Sequence, residues 1–176
     1  KFTQKDFIRF ANLLLLERKL TTAENAVDVF NEYATRKKMS VLEEEQMLWI
    51  KSIFRVENNI IESIIPDYND LLESLDKKDK INYFYISSDK AYILYLMQDY
   101  DYAIEIYNVL ISYAAAHPEK FSKELQSLYD ERGYARRKMQ DQLGADSDFV
   151  KSKINPFELD KYEPRYSHQE FVAEKF

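Results

Sequence analysis

Residues Asp99–Ile111, DYDYAIEIYNVLI, decide the fold. Ala103, Tyr107 and Leu110 stand at i, i+4 and i+7, and Ile104 and Ile111 widen the apolar stripe they would make on a helix. A small residue followed four positions later by a large aromatic lets two helices approach closely and then interlock. The pattern returns upstream at fixed spacing. Ala26, Phe30 and Tyr33 precede Ile64, Tyr68 and Leu71 by 38 residues, and these precede Ala103, Tyr107 and Leu110 by 39. Each triplet falls in the second helix of a predicted pair. Such a period, with two helices per unit, marks helix-hairpin repeats.

Outward from that stretch, the spacing predicts three pairs of helices: 3–19 with 22–38, 41–57 with 60–76, and 81–97 with 100–116. Thr21–Glu24 and Ser40–Glu43 both fit a capping box, a hydroxyl at the N-cap and a carboxylate three residues on. Arg36, Lys37 and Lys38 close the second helix, where cations complement the helix dipole; a nucleic-acid patch is the sharper but less favoured reading. The third helix carries Leu42, Met47, Trp49, Ile50, Ile53 and Phe54 on its apolar face, and Glu43, Glu44 and Glu45 read as its solvated first turn. Asn58 and Asn59 mark the next turn, and Pro66 either starts the fourth helix or kinks its first turn. The fifth helix is rich in tyrosine, and His117-Pro118 ends the sixth.

A seventh helix is predicted over 122–143, with Leu125, Leu128, Tyr129, Ala135, Met139 and Leu143 available for packing. With no partner helix expected after it, it reads as the cap over the open end of the last hairpin. Its Arg136, Arg137 and Lys138 are expected to face solvent or a partner. Beyond Gly144 the periodicity stops. The domain organisation read here is therefore a helical-repeat domain over 1–143 and an extended, aromatic-rich tail over 144–176.

Composition narrows the class. Of 176 residues, 45% are hydrophobic, enough for a core, and only two are glycine, too few for a turn-rich sheet protein. The expected class is all-α. A net charge of -6 disfavours a chain built to bind nucleic acid, whose phosphates demand an excess of lysine and arginine. With no cysteine there is no disulfide, thiol catalysis or thiolate metal site. No stretch is long and apolar enough to insert in a membrane. The chain begins at Lys1 without a methionine, which reads either as a processed N-terminus, with an import segment removed as one form of it, or as a cut boundary.

An enzyme is not expected. The only histidines are His117, beside the helix-ending proline, and His168 in the tail, and neither sits in a catalytic motif. No GxxxxGK, GxGxxG, HExxH or DxDxDG sequence occurs, and neither a cofactor nor a metal site is expected. The tail is the least generic part. Phe149, Phe157, Tyr162, Tyr166, Phe171 and Phe176 make it too apolar for an ordinary solvated segment, and Pro156 and Pro164 stiffen it. It can dock on its own helices or on a partner, with Phe149 and Phe157 held at home. Phe157, Tyr162, Tyr166, Phe171 and Phe176 are the candidate partner-binding residues.

DYDYAIEIYNVLI and TTAENAVDVFNEYATRKK resemble the second helices of tetratricopeptide (TPR) or pentatricopeptide (PPR) repeats; in the former, an acidic-aromatic turn leads into an A-x-x-x-Y/F face. Tyr100, Ala103 and Tyr107 match that face, whereas the tryptophan and the first-helix glycine of the TPR pattern are missing. The resemblance implies a short right-handed α-solenoid of three hairpins with a seventh capping helix. In layout the chain resembles the PPR-like accessory F1 subunit of euglenozoan mitochondrial ATP synthases. That likeness implies a structural subunit bound to the F1 α subunit in the mitochondrion. PPR-type RNA binding and peptide binding by a TPR regulatory module remain alternatives. The positions that read bases in PPR proteins hold Phe7, Glu45 and Phe84, which do not form a consistent polar pair.

Overall fold

The computed structural model describes residues 40–153, together with Asn25. Among these residues the protein is all-α, with six helices and no strand: α1 Val41–Glu57, α2 Ile64–Ser74, α3 Lys80–Leu96, α4 Tyr100–Ala116, α5 Pro118–Lys138 and α6 Gln142–Ser152. The predicted pair 3–19 with 22–38, including Ala26 and Phe30, lies outside the described residues. The chain divides into two compact units between Ile86 and Ser87, within α3.

In the first unit, α1 starts on the predicted capping box. Glu43 N–H donates to Ser40 Oγ at 3.4 Å, and Ser40 N–H donates to Glu43 Oε2 at 2.8 Å. Met47, Trp49, Ile50 and Ile53 are buried as read, while Leu42 and Phe54 are half-buried. Glu45 corrects the reading of a solvated first turn, because it is 1% exposed beside the buried Gln46. Asn59 takes a left-handed φ of 58°, and the turn closes through Ile60 N–H to Arg55 C=O and Asn59 N–H to Val56 C=O. The next helix begins at Ile64, not at 60. A helix from 60 would hold Pro66 in its interior, whereas at the third helical position its missing N–H costs nothing. Tyr68 is fully buried on α2, and Arg55 Nη1 reaches Asp67 Oδ2 at 2.6 Å to tie α2 to α1.

The second unit holds the more informative packing. Ala103, Tyr107 and Leu110 of α4 are buried, as the stripe requires. His117 closes α4 and opens α5, with Pro118 at the first helical position. Helix α5 therefore starts at Pro118, earlier than 122, and a non-helical Phe121 (φ -124°, ψ 23°) kinks it after one turn. It ends at Lys138, five residues short of 143. Met139 is 43% exposed and Leu143 is 86% exposed, so neither packs as expected.

The chain then turns straight into α6, and this corrects the reading of an extended segment from Gly144. Asp141 caps α6 by accepting a hydrogen bond from Gly144 N–H at 3.0 Å. A Cβ on Gly144 would lie 2.0 Å from Asp141 Oδ2, so here glycine admits a cap at a helix start instead of ending one. The helix α5 thus has a partner. It also repeats the preceding pair at an offset of 42 residues: Met97-Gln98-Asp99 with Met139-Gln140-Asp141, Ala91 with Gly133, Ala103 with Ala145, Tyr107 with Phe149. The two turns share one geometry. Gln98 and Gln140 are left-handed, at φ 66° and 63°. Asp99 and Asp141 N–H bond back to Leu94 and Arg136 C=O at 2.9 and 3.0 Å.

Gly133 marks the closest approach of α5 and α6. A Cβ there would meet Phe149 Cε1 at 2.8 Å, and Phe149 is fully buried against Ala145 and edge-on to Tyr134 at 5.1 Å. Gly133→Ala is expected to destabilise by up to about 2 kcal/mol, since overpacking costs ~1–3 and better helix propensity returns ~1. Urea unfolding checks it, and Phe149→Leu in the same chain should recover most of the loss.

Candidate functional site

Three consecutive charged residues of α5, Asp130, Glu131 and Arg132, are buried, at 8%, 5% and 8% exposure. Charged side chains enter an interior only with partners. Arg132 has them on two helices. Its Nε and Nη2 donate to Asp148 Oδ2 and Oδ1 of α6 at 2.8 and 2.6 Å, a two-pronged contact, and Nη1 donates to Asn108 Oδ1 of α4 at 2.6 Å. One turn on, Arg136 Nη1 donates to Asp148 Oδ2 at 2.9 Å and to Gly144 C=O at 3.3 Å, and its Nε lies 3.7 Å from Asp141 Oδ2.

Asp148 is fully buried, and two guanidiniums share its two oxygens. It sits on the apolar face of α6, three residues after Ala145 and one before Phe149, both fully buried. The cluster fastens α4, α5 and α6 to one another through the Arg132 guanidinium, which bonds Asn108 on one side and Asp148 on the other. Tyr129 lies beside it, with Arg132 Cζ 5.4 Å and Lys151 Nζ 5.2 Å from its ring centre. Both oxygens of Asp148 are taken up by the two guanidiniums, so its chemistry is positioning.

A second polar pair lies on the seam between α4 and α5. Tyr107 of α4 is fully buried, and its hydroxyl and Glu131 Oε2 are both buried without a well-formed hydrogen bond. They still act on each other across the seam. Burial pushes the Glu131 carboxyl up to about 8; the Tyr107 hydroxyl opposes it, and the charge of Asp130 adds a smaller upward push. Burial and then Glu131 hold the Tyr107 phenol well above its ordinary range.

What the clamp secures is the outer face of α6. Leu143 and Val150, seven residues apart on one stripe, are 86% and 66% exposed. With Met139 just before the helix, they put large apolar side chains in water at the end of the described chain. Of the sequence-predicted site residues, Phe157, Tyr162, Tyr166, Phe171 and Phe176 lie outside the described residues. Phe149 is at home in the core, as read. Arg136 was expected to face solvent or a partner, and it turns inward to Asp148. Sequence reasoning missed Arg132, Asp148 and Asn108. The available signal was an acid at 148 on the same face as Ala145 and Phe149, opposite arginines spaced i and i+4.

No family model, no curated protein and no solved structure matches this chain. Among the described residues no helix is long and apolar enough to cross a membrane.

Proposed function

We propose that this chain is a non-catalytic structural subunit that docks in a larger protein assembly, on a short right-handed α-solenoid of TPR/PPR-like hairpins. The observation that carries this reading is the exposed Leu143–Val150 stripe on a helix held rigid by the Arg132–Asp148–Arg136 clamp. A rigid apolar face loses little entropy on docking. The 42-residue correspondence between α3–α4 and α5–α6 supports the repeat architecture. The aromatic segment Phe157, Tyr162, Tyr166, Phe171 and Phe176 supplies the second contact of the proposal. The partner implied by the resemblance is the α subunit of the F1 head of a mitochondrial ATP synthase, to which the chain would contribute architecture and no chemistry.

Co-purification of the tagged full chain tests this against two variants: Leu143→Asp with Val150→Asp, and deletion of residues 155–176. The expected result is a stoichiometric complex with the full chain. Either variant should lower recovery at least tenfold, with helical circular dichroism kept over the repeat. Unchanged recovery with both variants would refute the proposed docking surfaces, and purification as a free monomer would refute the subunit reading.

A further inference from the structure

We propose that the α4–α5 seam contains an alkali-sensitive catch: Glu131 is protonated while the two helices are packed, and its ionisation loosens them. The geometry is that of a carboxyl 5% exposed on one helix, facing a fully buried tyrosine hydroxyl on the other. An ionised carboxylate in such a place needs a cation or several good donors. Neither is at hand.

The groups around it account for this. On α4, Tyr107 offers a hydroxyl without a well-formed bond, and Asn108 already accepts from Arg132. On α5 itself, Asp130 adds a like charge, while Arg132 is spent on Asp148 and Asn108. On α6, Asp148 is covered by Arg132 and Arg136. From α3, Tyr92 and Tyr95 act on Tyr107, and the buried Lys90 bonds to the Tyr102 hydroxyl at 3.0 Å; the buried Asp89 adds no positive charge. Burial is the main cause that raises the Glu131 carboxyl from its ordinary 4.5 to about 8.

The sign follows. Between these two values the unfolded chain has released the Glu131 proton and the folded chain keeps it, so folding weakens as pH rises. The loss begins above the ordinary glutamate range. It is complete once the folded carboxyl itself ionises, and at that point the seam carries a buried charge.

The full chain and its Glu131→Gln variant, compared by urea unfolding from pH 5 to 9, test the catch. Glutamine keeps the shape and cannot ionise. The ratio of the variant's folding constant to the wild type's should rise about tenfold per pH unit through this window and level off above about 8. A ratio independent of pH would overturn the proposal. Independently of whether that variant folds, carbon NMR of the Glu131 side-chain carboxyl in the wild-type chain should show a midpoint near 8. A midpoint in the ordinary carboxylate range would also overturn it. Tyr107→Phe removes the one neighbour that favours the ionised form and should move that midpoint upward; a downward shift or none would contradict the assigned pairing.

Discussion

Asp148→Ala is expected to destabilise the protein by about 3–5 kcal/mol, the usual cost of taking one partner from a buried ion pair. The loss comes less from the missing attraction than from what is left behind. Arg132, with 9% of its side chain exposed, would keep a buried charge with only the neutral Asn108 and the Tyr129 ring beside it among the described residues. Arg136 is 24% exposed and can turn to water, so it contributes less to the penalty. Urea unfolding measures the total. Arg132→Met combined with Asp148→Leu discriminates the cause, because an apolar replacement of both partners leaves no orphaned charge. The double variant should recover most of the loss. If it is as unstable as Asp148→Ala, the clamp acts through shape, and the electrostatic account fails.

Tyr107→Ala is expected to cost a similar ~3–5 kcal/mol for a different reason, the cavity left by a fully buried ring. It stands in the middle of the stripe Ala103–Leu110, so no neighbour on the same helix can fill the gap. Tyr107→Phe should change stability by less than about 1 kcal/mol near neutral pH, since the hydroxyl it removes has no well-formed hydrogen bond. Thermal or urea unfolding of the pair reads both numbers. A large loss in both variants would show that the hydroxyl, not the ring, holds the seam.

Much of the helical plan was legible because its signals are local. The Ser40–Glu43 box sets the start of α1 within four residues of sequence, and the i, i+4, i+7 stripe places Tyr107 in the core without knowledge of its neighbour. The start of α2 was misplaced because the helix was begun directly after the Asn58-Asn59 turn, whereas Pro66 fits only within a first turn and the helix starts at Ile64. The last helix was missed because Gly144 reads as a stop and Asp148 interrupts the apolar face of α6. Only the tertiary arrangement shows that the glycine makes room for the Asp141 cap and that the aspartate has two arginines waiting for it. The candidate site was less legible than the fold. A clamp joining residues 108, 132 and 148 depends on helices separated in sequence, and no periodicity records that.

The turns at Asp99 and Asp141 have a consequence for how such a chain can change length. In each, one residue serves two helices: its N–H closes the first, and its C=O accepts from Ala103 or Ala145 in the second, at 3.1 and 2.9 Å. There is no slack residue between them. A single insertion at either point would rotate the following helix by about 100° and carry Tyr107 or Phe149 off the core. The link Asp76–Asp79, between α2 and α3, shares no such double duty, since Asp79 N–H closes on Asp76 C=O within the link and not on α2. In the second unit, growth or loss would have to come in whole hairpins, with both turns copied intact.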